Sequence, residues 1–597
     1  MHIFKKLLYL LSLQEKKRAI LLLGAIIVMA LFEMIGVVSI MPFMAVLMSP
    51  ELIETNYFLN VAYNYSSVFG VASYQQFLFL LGFLVFGLLI ISIALKIFTI
   101  YLTVRFINMC NYNFARRLVE GYLHQPYSWF LNRHSADLGK TILAEVNVVI
   151  KSGLYPMLIL IKESIVAIAL LSILILVDPK LTLIVGISLS SAYGLIYLFL
   201  RKSIKKMGKD RLESNKWLFT SISEAFGAVK EIKVGGFEKI YIDKFSAPAK
   251  NLAKINSLFG FIKQLPRFVL EAIVFGGMLL VVLYLMAQFN SITKALPVIA
   301  LYAYTGYRLM PALQQMFNSV TEMRYSITSI DAMYNDIKNL KSFTNYSKNK
   351  DPLQLNNNIV LRNINYDYPN ANRTALKNLN LSIQSKTIVG IVGATGSGKT
   401  TTVDIILGLL EAQQGSLEID GIEINNKNIR AWQKSIGYVP QNIFLADDTI
   451  ASNIALGVES ELINHSDVER AAKIANIHEF VTDDLPEKYY TTVGERGIRL
   501  SGGQRQRIGI ARALYHDPKV LIMDEATSAL DNSTEQAVME EVKNIGKDLT
   551  IIIIAHRLNT VKKCDNIFLL EKGELIGQGT FDELIKSSKR FREVSDL

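Results

Sequence analysis

Two adjacent carboxylates and one glycine-rich loop are the residues of this chain best suited to chemistry. The run Gly393-Ala394-Thr395-Gly396-Ser397-Gly398-Lys399-Thr400 combines closely spaced glycines with an amine and a hydroxyl. Glycines let successive backbone N–H groups point inward at phosphate, Lys399 supplies charge to the β- and γ-phosphates, and Thr400, followed by Thr401, can ligate Mg2+. Asp524 and Glu525 can divide a second task. Asp524 would hold Mg2+ directly or through water, and Glu525 would polarise the water that attacks the γ-phosphate. Taken singly these are weak signals, since glycine-rich turns arise by chance and buried strands often end in solvated acids.

Their setting decides the matter. Lys386 to Val392 has the pattern of a short buried strand, and a helical pattern follows the glycine loop through Leu410, the strand–loop–helix context that a phosphate loop requires. Val520-Leu521-Ile522-Met523 reads as a second buried strand, so Asp524 and Glu525 emerge at its C-terminal edge, where α/β sheets place their ligands.

From about Leu355 onward the chain resembles the nucleotide-binding domain of an ABC transporter. Leu500-Ser501-Gly502-Gly503-Gln504, followed by Arg505-Gln506-Arg507, matches the ABC signature, and its small residues suit anion contact at a helix start. The resemblance implies that Tyr368, preceding Pro369, stacks on adenine, that Gln441 is the Q-loop glutamine beside the metal, and that Thr492 to Gly497 is a segment typical of exporters. It further implies that Ser528-Ala529-Leu530-Asp531 is the D-loop and that His556, after the apolar run Ile551 to Ala555, contacts the γ-phosphate. A lone histidine there would usually be structural. In the family, the signature loop faces ATP held by a second nucleotide-binding domain. One chain carries one phosphate loop and one signature, so a working pair of sites needs two chains. A homodimer is the simplest arrangement and a heterodimer the alternative; ATP and Mg2+ are the implied cofactors.

Bulk composition places the rest of the chain in lipid. A length of 597 residues exceeds one domain, and 51% hydrophobic content exceeds that of an ordinary soluble protein. Six apolar stretches are long enough to cross a bilayer: Ala19 to Met48, Phe77 to Val104, Gly153 to Val177, Leu181 to Leu200, Leu265 to Gln288 and Ile292 to Met310. Asp178-Pro179-Lys180 joins the third and fourth as a tight hairpin. Lys5, Lys6, Lys16, Lys17 and Arg18 precede the first span, whereas Pro50 to Gln76 has no Lys or Arg, which puts the N-terminus in the cytosol. The net charge of +11 is thereby explained by cytosolic loops rather than by nucleic acid. Ile3, Phe4, Leu7, Leu8 and Leu11 recur at helical spacing, as in an amphipathic helix lying on the inner leaflet. Cys110 and Cys564 lie far apart and imply neither disulfide nor metal cluster.

The expected organisation is therefore an α-helical transmembrane domain of six exporter-type spans followed by an α/β ABC nucleotide-binding domain. Its segments are an amphipathic helix at 1–18, a transmembrane domain with cytosolic helical extensions at 19–340, a linker at 341–354 and the ATP-binding domain at 355–597. Arg105 to Lys151 and Arg201 to Lys263 are rich enough in helix formers to continue the spans into the cytosol, with hairpin tips near Gln125 to Asp137 and Gly227 to Glu238.

Charges inside lipid are expensive, so Glu33, Lys96, Lys162, Glu163, Arg267, Glu271 and Arg308 should face the interior or one another. Arg267 and Glu271 stand four apart on one helix, as an internal ion pair would, whereas Arg308 has no local acid. Phe32 to Met34 through Met41 to Phe43, Leu265 to Glu271 and Tyr307 to Pro311 make this half similar to the lipid-linked oligosaccharide flippases of bacterial protein glycosylation. That likeness implies a cavity in which Arg267 and Arg308 bind a polyprenyl-pyrophosphate headgroup, with Lys96 or Ser92 in place of a further basic residue, and Glu33 nearby. Tyr57 to Tyr65 would then be a short external helix, or interfacial packing. The expected setting is a bacterial inner membrane, with a second copy of the chain and membrane lipid as partners and no nucleic acid. A lipid or multidrug exporter is the alternative cargo class, and a non-transporting ABC regulator, which would tolerate loss of Glu525 or His556, is the alternative function class.

Overall fold

The computed structural model describes residues 2–48, 50–66, 71, 73–289, 292–340, 351–369, 373–525, 532–545, 548–554 and 561–594. It divides into two compact units, one of Met1–Gln125 with Arg133–Ser342, the other of Pro126–Asn132 with Phe343–Leu597.

The first unit is helical. Helix α1 (His2–Leu10) is followed by α2 (Leu13–Val38) and α3 (Ile40–Met48). A capping box starts α2: the Ser12 hydroxyl accepts from the Glu15 N–H at 3.2 Å, and the Ser12 N–H donates to Glu15 Oε2 at 2.8 Å. Residues 13–18 thus belong to the spanning helix, and the expected single helix over 1–18 is corrected to α1 plus the first turns of α2. Helix α1 buries part of its apolar face within the unit and leaves Leu8 exposed. Leu7, Leu10 and Leu11 are buried, Lys6 pairs with Asp331 at 2.7 Å, and Tyr9 meets Tyr334 edge-on, so the buried part packs on α15 (Ile327–Asn339).

Short helices α4 (Leu52–Thr55) and α5 (Tyr57–Ser66) follow, the latter where an external helix was expected. Helix α6 (Tyr74–Leu123) runs for 50 residues to the small α7 (Tyr127–Phe130). Next come α8 (Ser135–Lys140), α9 (Val146–Val149) and α10 (Tyr155–Val177), with π-helical turns at Thr141–Glu145 and Ile150–Leu154 between them. The Asp178 break leads directly into α11 (Pro179–Gly227), the tight hairpin expected from the sequence. Helices α12 (Val229–Gly235), α13 (Glu238–Phe289) and α14 (Ile292–Tyr325) complete the unit before α15.

Among the described residues, four stretches are long and apolar enough to cross a membrane: Leu13–Met48, Tyr74–Leu123, Ser135–Val177 and Thr182–Gly227. The fifth and sixth expected spans fall on α13 and α14, and residues 290–291 lie outside the described set. Helix α10 packs against α14, α11 against α13, and α2 against α6. Arg211 of α11 pairs with the buried Glu145 at 2.9 Å and donates to Ser329 at 2.7 Å. There α11 comes so close to its neighbour that a Cβ on Gly208 would lie 2.0 Å from the Tyr325 carbonyl oxygen.

Two sheets build the second unit. Strands β1 (Asn358–Tyr366), β2 (Leu376–Gln384), β4 (Gln414–Ile419) and β5 (Ile422–Glu423) form an antiparallel sheet in the order β2-β1-β4-β5. The other sheet, in the order β10-β9-β3-β8-β7-β6, comprises β3 (Ile388–Val392), β6 (Ile436–Val439), β7 (Val520–Asp524), β8 (Thr550–Ile554), β9 (Asn566–Glu571) and β10 (Glu574–Gly579). It is parallel except at β10. Every residue of β3, β7 and β8 is buried, as a parallel sheet covered on both faces demands. The helices packed with these sheets include α16 (Lys399–Ile406), α17 (Ile429–Gln433), α18 (Ile450–Ile454), α19 (His465–Ile474), α20 (Gly502–Leu514) and α21 (Asn532–Ile545). Cys110 and Cys564 are buried free thiols.

Candidate functional site

The central strand β3 delivers the chain into the glycine loop, and α16 begins at Lys399, so the expected strand–loop–helix order holds. Two glycines are obligatory there. Gly393 has φ 156° and a Cβ on it would sit 2.2 Å from the Leu570 carbonyl oxygen; Gly398 has φ 105° and would meet Leu376 at 2.8 Å. Lys399 is buried, and its Nζ donates to the carbonyl oxygens of Gly393 (2.7 Å) and Ala394 (3.2 Å). Burial lowers the lysine pKa, against the opposing pull of Glu525 and Asp524, so the ammonium is held under desolvation beside two acids. The Ser397 hydroxyl is buried with no hydrogen-bond partner among the described residues. An orphaned hydroxyl and a desolvated ammonium in one loop are the features of a cradle built for an anion. Ala394, Thr395, Gly396 and Thr400 are exposed at its mouth.

Strands β6 and β7 are parallel neighbours, and each is followed by a polar side chain of the site. Asp524 ends β7 and is buried; Glu525 follows with φ 49°, its N–H donating to the Ile554 carbonyl oxygen at 3.2 Å. A glutamate in the left-handed region is strained, and here the strain turns its carboxylate toward Gln441, whose Nε2 donates to Glu525 Oε2 at 2.8 Å. With the amide nitrogen so engaged, Gln441 Oε1, the Thr400 hydroxyl and the Asp524 carboxylate are hard oxygen donors of the kind Mg2+ takes together with phosphate oxygens. These residues fit such an ion.

Asp404, which the sequence did not single out, is buried on α16, and burial followed by the charge of Asp524 pushes its carboxyl up to about 6. The signal available was its place five residues after Lys399 on the helix that leaves the loop. Tyr368, expected to stack on adenine, shares a hydrogen bond with Thr401 (3.1 Å between hydroxyls) and packs edge-on against Tyr366 at 5.1 Å.

Ser501 is the N-cap of α20: its hydroxyl accepts from the Gln504 N–H at 3.2 Å, and its own N–H donates to Gln504 Oε1 at 2.7 Å. Gly502 and Gly503 then form the first turn, while Leu500 is buried beneath. The signature therefore presents a capped helix start, the geometry in which backbone N–H groups and dipole favour an anion. Asp531, the rest of the expected D-loop and His556 lie outside the described residues.

In the helical unit, Glu33 of α2 accepts from Arg308 of α14 at 3.0 Å and lies 3.6 Å from Lys96 of α6. Arg308 also donates to Tyr304 at 3.2 Å. Arg308, which has no acid near it in sequence, finds one 275 residues away, so these two charges face one another as expected. Tyr304 was missed, although it lies one helical turn before Arg308. Arg267 and Glu271 pair on α13 at 2.9 Å as expected, and Lys162 pairs with Glu163 at 2.7 Å, both buried. Ser92 is buried on α6.

Comparison with known proteins agrees with both halves. Residues 376–528 match the family model described as ABC transporter, and residues 52–309 match that described as ABC transporter transmembrane region. An ATP-dependent lipid A-core flippase of Cupriavidus metallidurans is 30% identical over 79% of this chain and 78% of its own length. A Bacillus subtilis protein named for multidrug export as an ATP-binding/permease protein is 30% identical over 71% of this chain and 72% of its own. The fold matches the structure of a bacterial Atm1-family ABC exporter with ATP bound, with a TM-score of 0.77 at 23% identity and 97% coverage of each chain. The chain belongs to the ABC transporter family: it is a membrane-embedded half-transporter in which an exporter-type helical region precedes an ATP-hydrolysing ABC domain.

Proposed function

We propose that this protein uses ATP to flip a polyprenyl-pyrophosphate-linked oligosaccharide from the cytosolic to the outer side of a bacterial inner membrane, working as a homodimer with its ATPase domains in the cytosol. The observation that carries the reading is the cationic cluster of Arg308 and Lys96 on two apolar helices, where charge is tolerated only for a purpose. Arg267, more exposed and paired with Glu271, is a second guanidinium able to grip phosphate bidentately.

In the ATPase, Lys399 and the loop N–H groups of residues 393–401 bind the phosphates, and Tyr368 stacks on adenine after releasing Thr401. Thr400, Gln441 and Asp524 would hold Mg2+, which would supply neutralising charge to the phosphates. Glu525 accepts the proton of the attacking water, Gln441 orients Glu525, His556 contacts the γ-phosphate, and Asp531 lies at the dimer seam. Leu500 to Gln504 of one protomer close over the nucleotide held by Lys399 of its partner.

The relatives' names support a second cargo reading, a lipid A-core-like glycolipid or an apolar drug. Flipping of a defined pyrophosphate-linked glycolipid in proteoliposomes separates them. Arg267→Ala with Arg308→Ala should abolish that flipping while ATPase activity persists; flipping that survives the double substitution removes the pyrophosphate headgroup from the proposal.

A further inference from the structure

The ionic cluster in the membrane unit is unbalanced. One carboxylate, Glu33, serves two cations brought by two other helices, Arg308 at 3.0 Å and Lys96 at 3.6 Å. Side-chain exposure grades from 7% at Glu33 through 20% at Arg308 to 40% at Lys96, so the carboxylate is the most enclosed member and the cations are the accessible ones. The formal sum is one positive charge. A guanidinium can offer an oxyanion two parallel N–H bonds. Here Arg308 gives Glu33 only Nη1 and gives Tyr304 Nη2, while its buried Nε has no partner among the described residues. The arrangement keeps Arg308 in place yet leaves its donor capacity incompletely used.

We propose that Glu33 is a built-in stand-in for the anionic headgroup, and that it sets the charge a lipid must carry to enter the site. This rests on the pyrophosphate-lipid reading above. With Glu33 in place, a zwitterionic headgroup has no net charge to exchange for a carboxylate already held by two cations. A singly charged phosphodiester, the headgroup type of the bilayer's own anionic lipid, only equals the charge that Glu33 supplies. A substituted pyrophosphate brings two charges, can engage Arg308 through the unused Nε as well as an Nη, and can hold Lys96 too. Glu33 then acts by competition: the fraction of protein in which Arg308 is released from it weakens every anionic lipid by the same factor, which takes the singly charged lipid, the weaker binder, below occupancy at its membrane concentration while the pyrophosphate still binds. Selectivity against the surrounding membrane thus comes from a repulsive element within the site rather than from tighter contacts to the cargo.

The test reads ATPase activity of the full-length chain in phosphatidylcholine proteoliposomes, titrated with a polyprenyl pyrophosphate in the absence and presence of phosphatidylglycerol. For the unaltered protein, phosphatidylglycerol should leave the half-saturating polyprenyl pyrophosphate concentration unchanged. Glu33→Gln should lower that concentration about tenfold in pure phosphatidylcholine, and phosphatidylglycerol should raise it again about tenfold by competing. Lys96→Met provides the independent arm, since it leaves Glu33 and Arg308 neutral as a pair: half-saturation should rise about tenfold with indifference to phosphatidylglycerol kept. Equal half-saturation and equal indifference in Glu33→Gln and the unaltered protein overturn the proposal, as does an unchanged Lys96→Met. If the unaltered protein ignores polyprenyl pyrophosphate, the parent reading fails by itself. The phosphatidylglycerol response of Glu33→Gln still decides whether Glu33 excludes singly charged lipid.

Discussion

Gln441 Nε2 and Glu525 Oε2 meet at 2.8 Å, which ties the residues following two neighbouring parallel strands into one hydrogen-bonded pair. The pair places a carboxylate, through a strained backbone, at the edge of the sheet that also carries the glycine loop.

Replacing that carboxylate while keeping its shape should separate binding from chemistry. Glu525→Gln is expected to reduce ATP turnover by roughly 10²-fold or more, the usual contribution of a positioned general base. ATP affinity, read by equilibrium binding of labelled nucleotide, should stay intact, because Lys399 and the loop amides are untouched. Hydrolysis at the original rate would remove Glu525 from the mechanism.

Lys399 and Ser501 are expected to serve one nucleotide from two different chains. Lys399→Ala alone should weaken ATP binding by about 10- to 100-fold, the worth of a lost charge-assisted hydrogen bond, and Ser501→Arg alone should block closure. Co-reconstituting the two variants restores one intact site in each mixed dimer, so up to roughly a quarter of the unaltered ATPase rate should return, given random pairing. No recovery on mixing would argue against sites shared between protomers.

Asp404 should make the ATPase unit less stable as pH rises. Its carboxyl is held up at about 6 by burial and by Asp524, above the ordinary carboxylate value. The folded form therefore binds more protons than the unfolded form between those values, so stability falls as pH climbs through about 6 and the cost is complete above it. In protein free of nucleotide and Mg2+, Asp404→Asn should raise the Tm of this unit at pH 7.5 by roughly 2–4 °C, what about 1 kcal/mol yields in a domain of this size. The gain should shrink at pH 5; a gain independent of pH would assign it to packing.

Gly208 is expected to be intolerant of any side chain. Even an alanine Cβ would press to 2.0 Å from the Tyr325 carbonyl oxygen, which is backbone and cannot rotate away. Gly208→Ala should cost about 1–3 kcal/mol, as overpacking does, seen as earlier thermal unfolding of the detergent-solubilised protein. Gly194→Ala on the same helix, with nothing within 4 Å, is the control expected to be neutral.

How legible these features were depended on sequence separation. The glycine loop, the strand before Asp524 and the Asp178 hairpin are local patterns, and each appears in place. The start of α2 was legible too, since Ser12 and Glu15 spell a capping box, but the neighbouring Lys16, Lys17 and Arg18 drew the boundary toward the charges. Glu33 and Arg308 could not be matched from one sequence, because nothing local in either helix indicates that α2 and α14 pack together. The antiparallel sheet was likewise unannounced: β1 pairs with both β2 and β4, and its register shifts near Ile364 break the period-two pattern. Asp404 escaped because a carboxylate on a helix usually faces water, and only the surrounding sheet buries it.

The two π-helical turns, Thr141–Glu145 and Ile150–Leu154, act on everything downstream of them as insertions act on a reading frame. Each accommodates one residue more than an α-turn, and one residue corresponds to about 100° of rotation about the helix axis. Together they set which azimuth of α10 receives Lys162 and Glu163, both buried beside Val166, Ala167 and Leu170. Deleting a single residue from Ile150–Leu154 would let the turn relax to α-helix with the azimuth of α10 kept, whereas tightening it to α-helix with all five residues present would rotate the rest of α10 by about 100°. That would carry the Lys162–Glu163 pair from the protein interior toward lipid. The inward aim of these charges is thus encoded by the spacing of residues two or more turns earlier, so a substitution-by-substitution scan of Lys162 and Glu163 themselves would not find it.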